Sequence, residues 1–160
     1  MVGCSPEKNM SNSREQSDIL LRAIQINNDR IAGYTKAMEL IDDGQSNSLK
    51  GVFQDYIDQS EDFKSQLSPL LEQGAGEIQK DTLFTGKLFR LWMDLKAGLS
   101  PSTTQAVLEL CEKGEEEFRD TYQDILSECQ DVFPEIVHVL NLHLVEQNNA
   151  HIYIKELRGL

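Results

Sequence analysis

Apolar residues recur in alternating steps of four and three along four stretches of this chain, the spacing that keeps one side of a helix against its partners. The first seam reads Leu20, Ile24, Asn27, Ile31, Tyr34, Met38 and Ile41, and the second Phe53, Tyr56, Ser60, Phe63, Leu67 and Leu70. The third is Val107, Cys111, Gly114, Phe118, Tyr122, Ile125 and Cys129, and the fourth Ile136, Leu140, His143, Gln147, His151 and Ile154. Start signals agree with these seams. Ser13-Arg14-Glu15-Gln16 forms a capping box, while Pro101 and Pro134 stand where a missing amide costs nothing. Short links at Gly44 to Asn47 and at Gln130-Asp131 turn helices one and two, and helices three and four, into antiparallel hairpins. Residues 1–12 are expected to form a flexible leader and 13–160 one domain.

Between the hairpins, after Gly74-Ala75-Gly76, the chain carries a short amphipathic fifth helix. It has Phe84, Leu88, Leu91, Trp92 and Leu95 on one face and Gly98 at its end. Simple up-down bundles use three short loops, whereas two helical hairpins joined by a long crossover are the topology of ferritin-like bundles. The expectation is therefore an all-α, ferritin-like antiparallel four-helix bundle.

Composition narrows the partners. Of 160 residues, 27 are acidic and 15 basic, and the net charge of -12 repels phosphate backbones and anionic lipid surfaces, which argues against nucleic acid. No run approaches the roughly 18 consecutive apolar residues of a membrane span. Cys111 and Cys129 lie about 27 Å apart on one helix, too far for a disulfide, and recur at apolar positions. They read as small buried hydrophobes in a reducing, cytoplasmic setting. Val2-Gly3-Cys4-Ser5 resembles the end of a bacterial lipoprotein signal without its charged and apolar regions. A lipid anchor at Cys4 is thus the alternative location, and it requires a signal peptide upstream of this sequence.

A helix advances about 100° per residue, which sorts the polar side chains. Glu135 and His138 have the Glu-x-x-His spacing of di-iron bundles, but His138 falls on the solvent side. His143, Gln147 and His151 project inward together, at the height of Glu115 on the preceding helix. Asn27, Arg30, Gln59, Ser60 and Tyr122 complete a polar middle layer. Asp29, Glu61 and Asp62 are placed outward or at the border between faces, and Glu116 outward.

Some of these residues belong to a larger pattern. Asp29 with Gly33-Tyr34, the run Thr85-Gly86-Lys87-Leu88-Phe89-Arg90-Leu91-Trp92, the run Cys111-Glu112-Lys113-Gly114-Glu115-Glu116, Tyr122, and His151 with Leu157-Arg158 span Ser13 to Arg158. In these the chain resembles a bacterial family of ferritin-like four-helix-bundle proteins classed as a domain of unknown function. An acidic residue often follows the position of His151 in that pattern, and Ile152 stands there instead, leaving one ligand fewer. The resemblance implies a ferritin-like fold and an intracellular location, and it carries no reaction.

Two function classes follow. In the preferred one the layer is a metal-free hydrogen-bond network, with Arg30 pairing Glu115, inside a non-enzymatic, stress-associated or scaffolding protein that forms a homodimer. Phe89, Trp92 and Met93 are its candidate contact residues, unless Trp92 caps the core. In the alternative, Glu115, His143 and His151, with Gln147 or Gln59, hold a reduced mono- or dinuclear site for iron, manganese or zinc. Hydrolytic or nucleophilic catalysis has no phosphate loop, nucleophile elbow or inward cysteine-histidine pair to support it.

Overall fold

The computed structural model describes residues 6–41, 47–71, 90, 92–93, 103–129 and 132–159. Among these the chain is all-helical: α1 (Pro6–Leu40), α2 (Asn47–Leu67) with a 3-10 turn at Ser68–Leu70, α3 (Thr103–Cys129) and α4 (Pro134–Gly159). Arg90, Trp92 and Met93 are also helical. The remainder of the expected crossover, including Phe89, and Cys4 lie outside the described residues.

α1 begins at Pro6, ahead of the capping box expected at Ser13. Proline is favoured at a first helical position, and the residues from Glu7 to Ser13 contain no further proline or glycine to break the helix. α2 closes on Ser68-Pro69-Leu70, where proline cannot extend the amide ladder.

Each helix packs on two neighbours and faces the fourth across the axis: α1 on α2 and α3, and α4 on α3 and α2. Contacts fix the directions. Tyr34 meets Phe53 with ring centroids 5.4 Å apart, while Gln16 donates to the Leu70 carbonyl at 3.4 Å, so α1 and α2 are antiparallel. The pairs Arg22–Glu128 and Arg30–Glu115 set α3 antiparallel to α1. Gln105 bonded to the Arg158 carbonyl and Tyr122 bonded to His143 set α4 antiparallel to α3. Hence α2 and α3 run in the same direction, with the end of α2 and the start of α3 at opposite ends of the bundle.

The core has two apolar parts. One centres on Leu20, Ile24, Phe63, Phe118, Ile125 and Leu140, the other on Tyr34, Phe53, Val107, Cys111 and Ile154. Each fully buried large side chain contributes about 1.5–3 kcal/mol. A polar layer of Asn27, Arg30, Ser60, Glu115 and Gln147, all buried, lies between them.

No described helix is long and apolar enough to cross a membrane.

Candidate functional site

Glu115 is the hub of the polar layer. Arg30 Nε donates to its Oε1 at 2.9 Å, the Tyr34 hydroxyl donates to the same oxygen, and Gln147 Nε2 donates to its Oε2 at 2.7 Å. Gln147 also donates to the Glu115 carbonyl at 2.9 Å, and Arg30 Nη1 to Ser60 Oγ at 3.0 Å. The guanidinium stands 5.4–5.7 Å from the ring centres of Tyr34, Tyr56 and Phe118. A buried carboxylate thus meets a buried cation with aromatic faces around it, which limits the desolvation cost of both. Burial alone would lower the Arg30 pKa, but the facing Glu115 holds it above its ordinary value. Burial and the Glu115 charge push the Tyr34 hydroxyl far up, so Tyr34 remains a proton donor.

One turn away, toward Tyr122, a second network has a determinate proton order. Gln66 Nε2 donates to Asp62 Oδ2 at 3.0 Å, which turns Gln66 Oε1 toward His143 Nε2 at 2.9 Å. An amide oxygen only accepts, so Nε2 carries the ring proton and Nδ1 accepts from the Tyr122 hydroxyl, 2.9 Å away. Asn27 Nδ2 then donates to Tyr122 Oη at 2.9 Å and to the Ala23 carbonyl at 2.8 Å. His143 stacks on Phe63 with ring centroids 4.0 Å apart, and burial pushes its pKa down to about 4. It is a neutral structural imidazole at physiological pH.

The nominated ligands therefore do not converge. Glu115 and Gln147 bind each other and Arg30, while His143 is occupied by Tyr122 and Gln66. His151 lies two turns from His143, about 12 Å along α4. It joins a different group, in which one donor atom each from Glu112, Glu116 and His151 lies within 4.8 Å of the others. Glu112 is buried and ion-paired with Arg158 Nε, and Glu116 is less enclosed. His151 Nε2 is shielded from solvent and makes no hydrogen bond among the described residues, and the same holds for Gln59 Oε1. The helical wheel placed Glu116 outward because it measured angles from the bundle axis. Glu112 and Glu116 sit one turn apart on the flank of α3, and a flank faces the neighbouring helix, here α4 with His151. The i, i+4 pairing of carboxylates inside Cys111-Glu112-Lys113-Gly114-Glu115-Glu116 was the available signal. Glu135 and His138 are both exposed.

A third feature lies between α1 and α3. A cavity of about 20 Å³, enough for no more than a water-sized molecule, is lined by Asp29, Arg30, Gly33, Trp92, Cys111 and Glu115 among others. Asp29 is buried there, not turned outward, because Trp92 covers this side of α1. At Gly33 a Cβ would stand 4.0 Å from the indole Nε1, an ordinary van der Waals contact, so the ring lies directly against this turn of α1. Trp92 is accordingly withdrawn from the surface assigned to it as a contact residue, while Met93 is exposed. Burial raises the Asp29 carboxyl to about 7 and the Cys111 thiol well above its usual range. Cys111 and Cys129 are both buried and unpaired.

Comparison with known proteins gives one match among families: the sequence model described as Domain of unknown function (DUF2383) matches residues 15–128. No curated protein and no solved structure matches the chain.

Proposed function

The chain belongs to the family of the domain of unknown function DUF2383, and from that premise we propose that it is a ferritin-like, metal-binding bundle that holds one divalent iron, manganese or zinc ion between Glu112, Glu116 and His151. The observation that carries this reading is the approach of three donor atoms to within 4.8 Å, with His151 Nε2 shielded and without a hydrogen bond among the described residues. Two carboxylates balance a doubly charged ion, and a neutral imidazole with carboxylate oxygens suits zinc, iron or manganese. The parallel course of α2 and α3 supports the ferritin-like part, since a chain leaving one end of the bundle must re-enter at the other.

The role is binding and not catalysis. Oxygen-activating di-metal bundles draw on about four carboxylates and two histidines, whereas this set serves a single ion. Closure of the Arg30–Glu115 layer supports a metal-free interior, so the bundle's axis is a scaffold and its α3–α4 edge the site. Buried unpaired thiols at Cys111 and Cys129 suit a reducing cytoplasm.

Calorimetric titration of untagged protein with manganese or zinc is expected to give one ion per chain. His151→Ala should weaken binding by about 100-fold and Glu116→Gln by about 10-fold, the range over which ligand and supporting contacts act. Arg158→Gln, which removes the cation competing for Glu112, should tighten it. Glu115→Gln should leave it unchanged. Equal affinity in wild type and His151→Ala would overturn the assignment.

A further inference from the structure

Helix α4 has two apolar faces, and the bundle uses one. Ile136, Leu140, His143, Gln147, Ala150 and Ile154 point into the core. On the opposite side Leu142, Val145 and Ile152 are 52%, 65% and 49% exposed, and Tyr153 beside them 43%. His138, Leu142, Val145, Asn149 and Ile152 follow one another in steps of four, three, four and three. That is the seam of a helix meeting another helix, here turned to solvent.

Charge sets this face apart. From Val137 to Ile154 the sequence carries one formally charged residue, Glu146. By contrast α2 exposes Asp55, Asp58, Glu61 and Asp62, and α3 exposes Glu109, Glu117, Asp120, Asp124 and Glu128. Depletion of charge around exposed apolar residues marks the centre of a protein interface. In a chain of net charge -12, two copies repel one another through the acidic faces of α2 and α3 and not through α4. Asn141, Asn148 and Asn149 lie among the apolar positions, and an amide offers both donor and acceptor, so it can pair with its own kind across a two-fold axis. Trp92 packs in the groove between α1 and α3, away from this surface.

We propose that the outer face of α4 is a homodimer interface, in which the Leu142–Val145–Asn149–Ile152 seam packs against the same seam of a second copy. The exposed apolar side chains present about 400 Å² per chain, within the range of a large monomer patch and about half the ~800 Å² per partner of a standard interface. Polar residues at the rim supply the rest, and the expected dissociation constant is on the order of 10 μM.

The test is sedimentation or light scattering of the full chain from about 1 to 200 μM, a range that brackets that constant. Wild type should pass from monomer to dimer. Leu142→Glu/Val145→Glu should remain monomeric at 200 μM with an unchanged helical circular dichroism spectrum. Asn149→Leu, which replaces a polar seam position by an apolar one, should lower the midpoint at least several-fold. A wild type that is monomeric throughout overturns the proposal. So does a dimer that survives both glutamates, which would place the contact elsewhere.

Discussion

Replacing Glu115 by leucine is expected to lower the unfolding free energy by about 3–5 kcal/mol, and replacing it by glutamine by about 1–2 kcal/mol. Leucine leaves the Arg30 guanidinium buried and without its counter-charge, and strips Tyr34 and Gln147 of an acceptor. Glutamine keeps one carbonyl oxygen for Arg30 and Tyr34 and loses the charge. The larger loss comes from leaving the buried cation with neither counter-charge nor acceptor, so removing both partners should recover much of it. Arg30→Met/Glu115→Leu is expected to be more stable than Glu115→Leu alone, because an ion pair replaced by apolar groups of similar volume is often neutral. Urea unfolding of the four proteins measures this. Equal midpoints for the leucine and glutamine variants would mean that the charge, which both remove, carries the whole effect and that the acceptor oxygen kept by glutamine adds nothing. Metal titration of Glu115→Gln separates this role from the α3–α4 edge, where binding should persist.

Removing the charge at Asp29 should raise the melting temperature at pH 8 by roughly 5–10 °C, corresponding to about 2–4 kcal/mol for a chain of this size. Burial raises the folded carboxyl from 3.8 to about 7, so between those values the folded state binds more protons than the unfolded one. Stability from this group is therefore full below pH 3.8 and is lost as pH rises through 7. Arg30, Tyr34, Cys111, Glu115 and Glu117 line the same cavity, and Asp29 forms no ion pair with that Arg30. His143 has the opposite sign. Burial lowers it from 6.5 to about 4, so its contribution is full above pH 6.5 and is lost as pH falls through 4. The two slopes oppose one another over the same window. Asp29→Asn should therefore expose a loss of stability on acidification from pH 6.5 to 4 that wild type partly masks. Thermal melts of both proteins from pH 4 to 8 test this, and an Asp29→Asn variant no more stable than wild type at pH 8 would refute it. Trp92, the one tryptophan, lines the Asp29 cavity, so its fluorescence should follow the same titration.

Local sequence reached the helices and much of the buried layer. Four-and-three spacing depends on the 3.6-residue turn alone, and for that reason the seams of Leu20 to Ile41 and Val107 to Cys129 can be read without knowing their partners. Glu115 could be set at the height of His143 and Gln147 because the short link between α3 and α4 fixes their register. The N-terminal boundary was less legible. Ser13 has the chemistry of a cap, but a capping box stabilises a helix start without preventing the helix from beginning earlier, at Pro6.

What the linear pattern left open was decided by which flank faces which neighbour. Glu112, Glu116 and His151 sit on the sides of two helices, where a wheel centred on the core turns Glu116 to solvent and groups His151 with His143 and Gln147. Only the packing of α3 on α4 brings their donor atoms together. Asp29 was assigned outward or to the border between faces by the same rule, and the indole of Trp92, distant in sequence, turned that face into an interior. Helical periodicity is a property of one segment and can be read along the chain. A site built from flanks depends on the rotation of one helix against another, which is set by the summed packing of many side chains and by no local motif. The four amphipathic helices were thus written in the chain, while the candidate metal site was made by the way they meet.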